Sequence, residues 1–478
     1  MKLLGLAVVS VCVLAACATG GPAAKTPSSV SPVPPQKPTV ASKPLSQPSA
    51  QSRERQAYEK ISAYVQQGEP DKAIATFIEA GLSNPNDTKS QFFLANLYLS
   101  AQRFKDAKAV LERILAADPG NIQATYDLAL AAGGLGDTAK QESLLQKVIA
   151  AAPDNSSAHA SLGEIYLESQ QYGRAMHSFQ ESLKSDPNNV VALVGLGTAY
   201  MYQGELNHAD TVLSKAIEVA PGFSFAYVNR GRERADNGNF AAAEKDLNEA
   251  VRLDPTSPWH YIDRGRIRAR AGNPSGAVSD FTKAIELDPQ VFLTYVYRGQ
   301  VYERMGKQAD ALSDYRKALS LRPDYYPVYS LAGALYFEDR RWDQAAEMFR
   351  KAFTAVPTDF GYPLIAALSY KYGGNEKLAQ SYLKGELGKI SQDPLYYAMA
   401  RFYLEPHNDS GVFRQIMDLK DQLLKAKMLF FLGAQYDLNG QKDLAQTVLL
   451  EVPKQNFPQL IESRLADWIL KSQEAAKK

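Results

Sequence analysis

Residues 290–323 read QVFLTYVYRGQVYERMGKQADALSDYRKALSLRP, a stretch 34 residues long that closes on Pro323. Small residues, Gly299, Ala311 and Ala318, alternate with the large Tyr302 and Tyr315, the pattern that close antiparallel helices need. Moving outward in steps of 34 finds Pro85, Pro119, Pro153, Pro187, Pro221, Pro255, Pro289, Pro323 and Pro357, eight equal intervals. Self-similarity at this period is the signature of a helix-turn-helix solenoid. Proline lacks an N–H and restricts its predecessor, so each one marks the close of a repeat.

The other positions keep the same register. One unit gives Leu162-Gly163, Tyr166, Ala175, Phe179 and Pro187, and the next Leu196-Gly197, Tyr200, Ala209, Leu213, Ala216 and Pro221. This resembles the tetratricopeptide (TPR) repeat. The resemblance implies an all-α fold, a right-handed superhelical solenoid whose first helices line a concave face. Nine units cover 54–359, and a tenth without the proline, 360–393, keeps Tyr370, Gly374 and Ala379. The array is therefore read as 53–393, about ten repeats of 34 residues. Beyond it, 394–478 reads as a helical module with helices over Leu395–Leu404 and Val412–Leu424. One more repeat-like stretch follows (Leu432-Gly433, Tyr436, Gly440, Ala445, Leu449). Its last helix, 458–473, carries Ile461, Leu465, Trp468 and Ile469 on one face, suited to cover the open end of the stack.

The amino terminus reads as an address. Met1-Lys2 precedes an apolar run from Leu3 to Ala16 that is short for a membrane span and fits a signal peptide, residues 1–16. The run ends Leu14-Ala15-Ala16-Cys17, which resembles a bacterial lipobox and implies cleavage before Cys17 and lipidation (palmitate included) of that cysteine. An ordinary signal peptide with a chance cysteine is the alternative. Ala18 rather than Asp follows, which in the Gram-negative sorting pattern favours the outer membrane, whichever face the protein then presents. Residues 17–52 form a Pro/Ser/Ala-rich tether that cannot bury enough apolar surface to fold, so it is expected to be disordered.

Composition narrows the function further. The net charge is +1, against bulk binding of nucleic acid. The two cysteines are Cys12 and Cys17, so no thiolate metal site or disulfide is available further on, and the five histidines form no HxxxH pair. No metal or cofactor is expected. No nucleophile elbow, P-loop or dinucleotide fingerprint follows a strand pattern, so no catalytic residue is assigned and the chain is not read as an enzyme.

Binding is expected on the first helices, where the resemblance points positions 2, 5, 6, 9, 12 and 13 of each unit into the groove. These positions give Phe225, Asn229, Arg232 and Asp236, then Trp259, Ile262, Arg266 and Arg270, then Val296, Tyr297, Gln300 and Arg304, with Tyr202 adjoining. Guanidinium groups beside aromatics suit an extended peptide with acidic groups, while a solvated helix face neutralised by Glu233, Asp236 and Asp263 is the competing reading. The pattern is not the carboxylate clamp of chaperone-binding relatives, because Val228 and similar residues stand at its lysine positions. A second row, Arg230, Arg264 and Arg298, pairs at a spacing of sixteen with Asp246, Asp280 and Asp314, and is read as ion pairs within repeats. The unit 122–155 carries Gly133-Gly134-Leu135-Gly136 and Gln141 in place of the contact alanine, and is expected to be a weak joint.

These features resemble periplasmic TPR adaptor lipoproteins of the outer membrane. They imply a membrane-anchored scaffold of the bacterial cell envelope that holds partner proteins or peptides in its groove. Two other readings stand beside it: a surface adhesin for host proteins or glycans, and an assembly lipoprotein of a secretion, pilus or polysaccharide-export system. A homodimer through an exposed repeat end is left open.

Overall fold

The computed structural model describes residues 50–405, 410–457 and 459–476. The signal peptide, Cys17 and nearly all of the tether lie outside them, as does the breaker Pro406-His407-Asn408. Among the described residues the regular structure is helical throughout, as the repeat pattern predicts. A repeat consists of a first helix such as Ser156–Glu168 and a second such as Tyr172–Ser185. The pair packs antiparallel around the small-large contact. A Cβ on Gly163 would lie 2.6 Å from the Phe179 ring, on Gly197 2.6 Å from Leu213, and on Gly299 2.7 Å from Tyr315. Glycine at that position is what lets the two backbones approach.

The helix ends follow from local chemistry. Asn121, Asn155 and Asn189, one period apart, each accept from the backbone N–H three residues on (Ala124, Ala158 and Ala192). The turn between the two helices needs one left-handed residue, and Gly204, Gly238, Gly272 and Gly306 supply it at φ of +72 to +81°. Gln102, Gln170 and Arg340 adopt the same conformation at the same place without glycine's freedom.

The chain divides into two compact units, the first ending at Leu253 and the second beginning at Asp254. In the first, one apolar core runs from Ile61 to Leu196. It passes through 122–155 without interruption. The helix Ile122–Gly134 is regular, and its glycines are points of close approach: a Cβ on Gly134 would meet the Phe104 ring at 2.5 Å. The expected weak joint is therefore a packed repeat, and the division falls at 253/254 instead.

In the second unit the core extends from Tyr295 to Ile469 and takes in the carboxy-terminal helices. The helix expected over 412–424 is two: Ser410–Met417 ends, and Asp421 caps a new helix, Gln422–Leu438, by accepting from Leu423 and Leu424 N–H. The buried Lys371 amine donates to the Tyr403 carbonyl at 2.7 Å and to Gln435 at 3.2 Å, which fastens this module to the tenth repeat. The final helix, Ile461–Ala476, buries Leu465, Ala466 and Ile469.

Candidate functional site

The first helices of neighbouring repeats pack directly on one another, as in Ser156–Glu168 against Val190–Gln203 and the latter against Ser224–Asp236. The layer of first helices is therefore the inner one, and its outward-facing side chains make the concave face of each unit. What those side chains can do depends on whether the fold already consumes them.

The periodic arginines are consumed. Arg230 forks onto Asp246 at 2.9 and 2.7 Å, and its other nitrogen donates to Ser214 of the preceding repeat at 3.0 Å. Arg264 meets Asp280 at 2.7 Å, and Arg298 meets Asp314 at 2.8 Å while donating to Thr282 at 3.0 Å. Arg234 and Arg268 add a second guanidinium to Asp246 and Asp280. The aspartates are buried, so these bidentate pairs satisfy them inside the stack. Tyr227, Tyr261 and Tyr295 lie beneath the same guanidiniums and donate their hydroxyls to the carbonyls of Pro221, Pro255 and Pro289.

The residues expected on the concave face fare differently from one another. In the first unit Tyr202 is 60 % exposed and stacks on Tyr172 with ring centroids 4.9 Å apart. Phe225 sits 5.7 Å from Phe223 and is half-buried. Asn229 donates to the Phe225 carbonyl and accepts from Thr198 of the neighbouring repeat, and Arg232 is exposed. In the second unit Arg266 lies over the Tyr297 ring at 5.3 Å and 3.7 Å from Asp263. Trp259 and Gln300 are half-buried, and Arg270 and Arg304 exposed. Ile262 is a correction: at 4 % exposure it packs in the interior as an aliphatic side chain with no polar group to offer a partner, and Val296 is buried likewise. Both are aliphatic residues on the flank of the helix that its neighbour covers.

Two features of this face carry no periodic signal. The first is in the second unit. Glu303 and Glu338, at positions 12 and 13 of their repeats, are engaged by Arg464 of the final helix, which forks onto Glu338 at 2.5 and 2.6 Å and also pairs with Glu303. Trp468 donates to the Glu338 carbonyl at 3.1 Å and meets Phe337 and Trp342 edge-on. The final helix thus reaches back along the inner helices of two earlier repeats rather than resting on the end alone.

The second feature is acidic. In the first unit Asp127 is 3 % exposed; its Oδ1 accepts from Gln123 at 2.8 Å and its Oδ2 is shielded with no hydrogen-bond partner among the described residues. Glu164, on the next first helix, has Oε1 in the same condition. Burial pushes the Asp127 carboxyl up to about 6. Burial, with Glu168 nearby, pushes Glu164 to about 8. Tyr126, bonded to Ser161 at 3.3 Å, rises to about 12 mainly through burial, with Glu164 and Asp127 adding to it. Among the described residues no group of His, Cys, Asp and Glu is arranged to hold a metal ion.

Tetratricopeptide family models match residues 64–132, 226–257 and 292–325, and the model of the cilia and flagella-associated protein 70 middle TPR-like domain matches 125–230. No curated protein matches the chain. Solved structures similar to it include MamA (26 % identity over 34 % of this chain and 95 % of that one, TM-score 0.31). PilF of Pseudomonas aeruginosa is 19 % identical over 42 % and 92 %, with TM-score 0.38. The Cut9-Hcn1 hetero-tetramer of the APC/C matches at 16 % over 67 % and 66 %, with TM-score 0.46.

Proposed function

We infer that the chain, through its tetratricopeptide repeats, serves as a scaffold for protein-protein interaction. We propose that it is a lipid-anchored adaptor of the bacterial cell envelope, held at the outer membrane through Cys17 and binding polypeptides on the inner face of its first unit. The observation that carries this reading is that this face keeps aromatic and polar groups beyond those the stack consumes: Tyr202 projects, and Asp127 and Glu164 retain unpartnered oxygens. In the second unit the corresponding register is taken in part by Arg464 and Trp468. The lipobox-like Leu14-Ala15-Ala16-Cys17 supports the anchor, and the Pro/Ser/Ala-rich sequence between Cys17 and the helix beginning at Ala50 gives it reach. A single lipid chain binds a membrane only marginally, so a stable anchor requires more than one at Cys17.

Two measurements test the reading. Labelled palmitate is expected in the wild-type chain and absent from Cys17→Ala, and label in neither would remove the anchor. For the groove, the full chain extracted in detergent is the bait, compared with a chain carrying Arg232→Glu and Tyr202→Ala. A partner held by the first and lost by the second, at equal helicity, supports an adaptor. Equal capture by both moves binding off this face.

A further inference from the structure

The acidic patch of the first unit sets a condition on the partner. Three successive first helices, Ile122–Gly134, Ser156–Glu168 and Val190–Gln203, contain no lysine or arginine, yet the first two carry Asp127, Glu164 and Glu168. Elsewhere in the stack every buried periodic aspartate has a guanidinium: Asp246, Asp280 and Asp314. Among the described residues no such cation meets these carboxyls, and the shielded oxygens Asp127 Oδ2 and Glu164 Oε1 accept no hydrogen bond. The register puts Gln123, Asp127 and Glu164 at positions 2, 6 and 9 of their repeats, on the inner face. Gln123, which donates to Asp127, is itself exposed there.

The surroundings offer no internal solution. The titratable groups facing Glu164 are Glu168 on its own helix and Tyr126 on the neighbouring one. Arg174 of the following helix lies over the Tyr166 ring at 3.8 Å, donates to its hydroxyl at 2.5 Å, and faces Glu142. Val190–Gln203, packed on the other flank, bears no charge. A shielded carboxyl without a partner is costly to a fold that gains nothing from it, and a cation supplied from outside converts that cost into a charge-assisted pair.

We infer that the inner face at residues 122–168 takes a basic side chain of a partner polypeptide against Asp127 and Glu164. This rests on the scaffold reading above and gives it a partner chemistry. It is opposite in sign to the acidic peptide that the arginines at 232–304 suggest, so the first unit selects for positive charge at this place. Pairing with a cation favours the ionised carboxyls, so the two groups release protons as the partner binds. Affinity then rises with pH, by up to tenfold per pH unit for each proton released.

The test uses the full chain in detergent and a capped hexalysine peptide, titrated calorimetrically at pH 5.5, 7 and 8. The control peptide is the same sequence with every lysine acetylated, which removes the charge. The expected result is binding that tightens at least tenfold from pH 5.5 to 8, with proton release detected as a dependence of heat on buffer. Acetylation abolishes it. Glu164→Gln and Asp127→Asn, each neutral and close in shape, weaken it about tenfold and flatten its pH dependence, whereas the exposed Glu112→Gln leaves it unchanged. Hexalysine that binds both variants as it binds wild type, or that binds at no pH, overturns the assignment. If the full chain nonetheless captures envelope partners in a Tyr202-dependent way, the adaptor reading survives and only the cation chemistry is lost. If that capture fails while hexalysine binds as expected, the opposite holds.

Discussion

Gly299 shows how little room a repeat leaves at the point where its helices touch. A Cβ there would lie 2.7 Å from the Tyr315 ring, and that ring is fully buried with its hydroxyl donated to Glu303 at 2.8 Å. Tyr315 has no direction in which to yield. Gly299→Ala is therefore expected to destabilise the second unit by about 1–3 kcal/mol, the usual result of overpacking, read as a lower urea midpoint; an unchanged midpoint would mean the helices shift apart freely. Gln170 presents the reverse case. Its φ of +60° places a side chain where the equivalent positions hold Gly204 and Gly238, and nothing else about the turn requires glutamine. Gln170→Gly should gain up to about 1 kcal/mol by relieving left-handed strain.

Gly299 was legible in the sequence because it recurs. A contact made in every repeat is written once per period, and sixteen residues from Gly299 to Tyr315, or from Arg298 to Asp314, is a spacing that comparison of repeats exposes. Ile262 was misplaced by the same logic. Register fixes which flank of a helix a residue occupies, but not whether the neighbouring helix covers that flank. Asp127 and Glu164 escaped notice because their positions vary along the array, Asp127 recurring at Asp263 four periods on and Glu164 at no other repeat, so no regular period marks them. Their meaning lies in the lack of a basic residue on three adjacent helices, a property of a layer and not of a motif.

At the scale of the element, the ion-pair rows join helices within and between repeats. Asp280 is buried under two guanidiniums, Arg264 and Arg268. Its replacement by Asn removes the charge that both arginines face, at an expected cost of about 3–5 kcal/mol. Replacing a solvent-facing partner such as Glu286, which meets Lys283, costs well under 1 kcal/mol. Urea unfolding of the two variants side by side checks the contrast. The buried acids of the first unit act with the opposite sign on pH. Asp127, Glu233 and Glu164 hold their protons to about 6, about 7 and about 8, for Glu233 mainly through burial and then through Asp210. Their folded values lie above those of the unfolded chain, so the folded state binds the extra protons. The stability they confer is full below about pH 4 and is lost as pH rises through 6 to 8. The melting temperature of the first unit should fall by a few degrees across that window, and Glu164→Gln should flatten the decline. A melting temperature that rises from pH 5 to 8 would contradict the burial of these groups.

For the molecule as a whole, the final helix decides how much of the array remains open to a partner. Arg464 stands 161 residues from Glu303 in sequence, a separation that no repeat comparison brings together. It satisfies two carboxylates on the inner helices at once, and Trp468 fills the space between Phe337 and Trp342. The helix is short of apolar residues for a core element, with Leu465, Ala466 and Ile469 buried and polar groups on much of the remainder, so its place depends heavily on these polar anchors. Arg464→Ala leaves Glu303 and Glu338 facing each other without a cation. Like charges and a lost fork together should loosen 461–476 before they disturb the repeats beneath. Hydrogen exchange is expected to accelerate across that helix by at least tenfold, corresponding to about 1.4 kcal/mol or more of local opening, while Pro274–Leu287 keeps its protection. Tryptophan emission should shift to the red as Trp468 and Trp342 gain solvent. Unchanged exchange would make the helix a fixed part of the core, held by Leu465 and Ile469 alone. Faster exchange would make the second unit's inner face a surface that the chain itself covers, leaving the first unit's acidic strip as the face on which partners meet the array unobstructed.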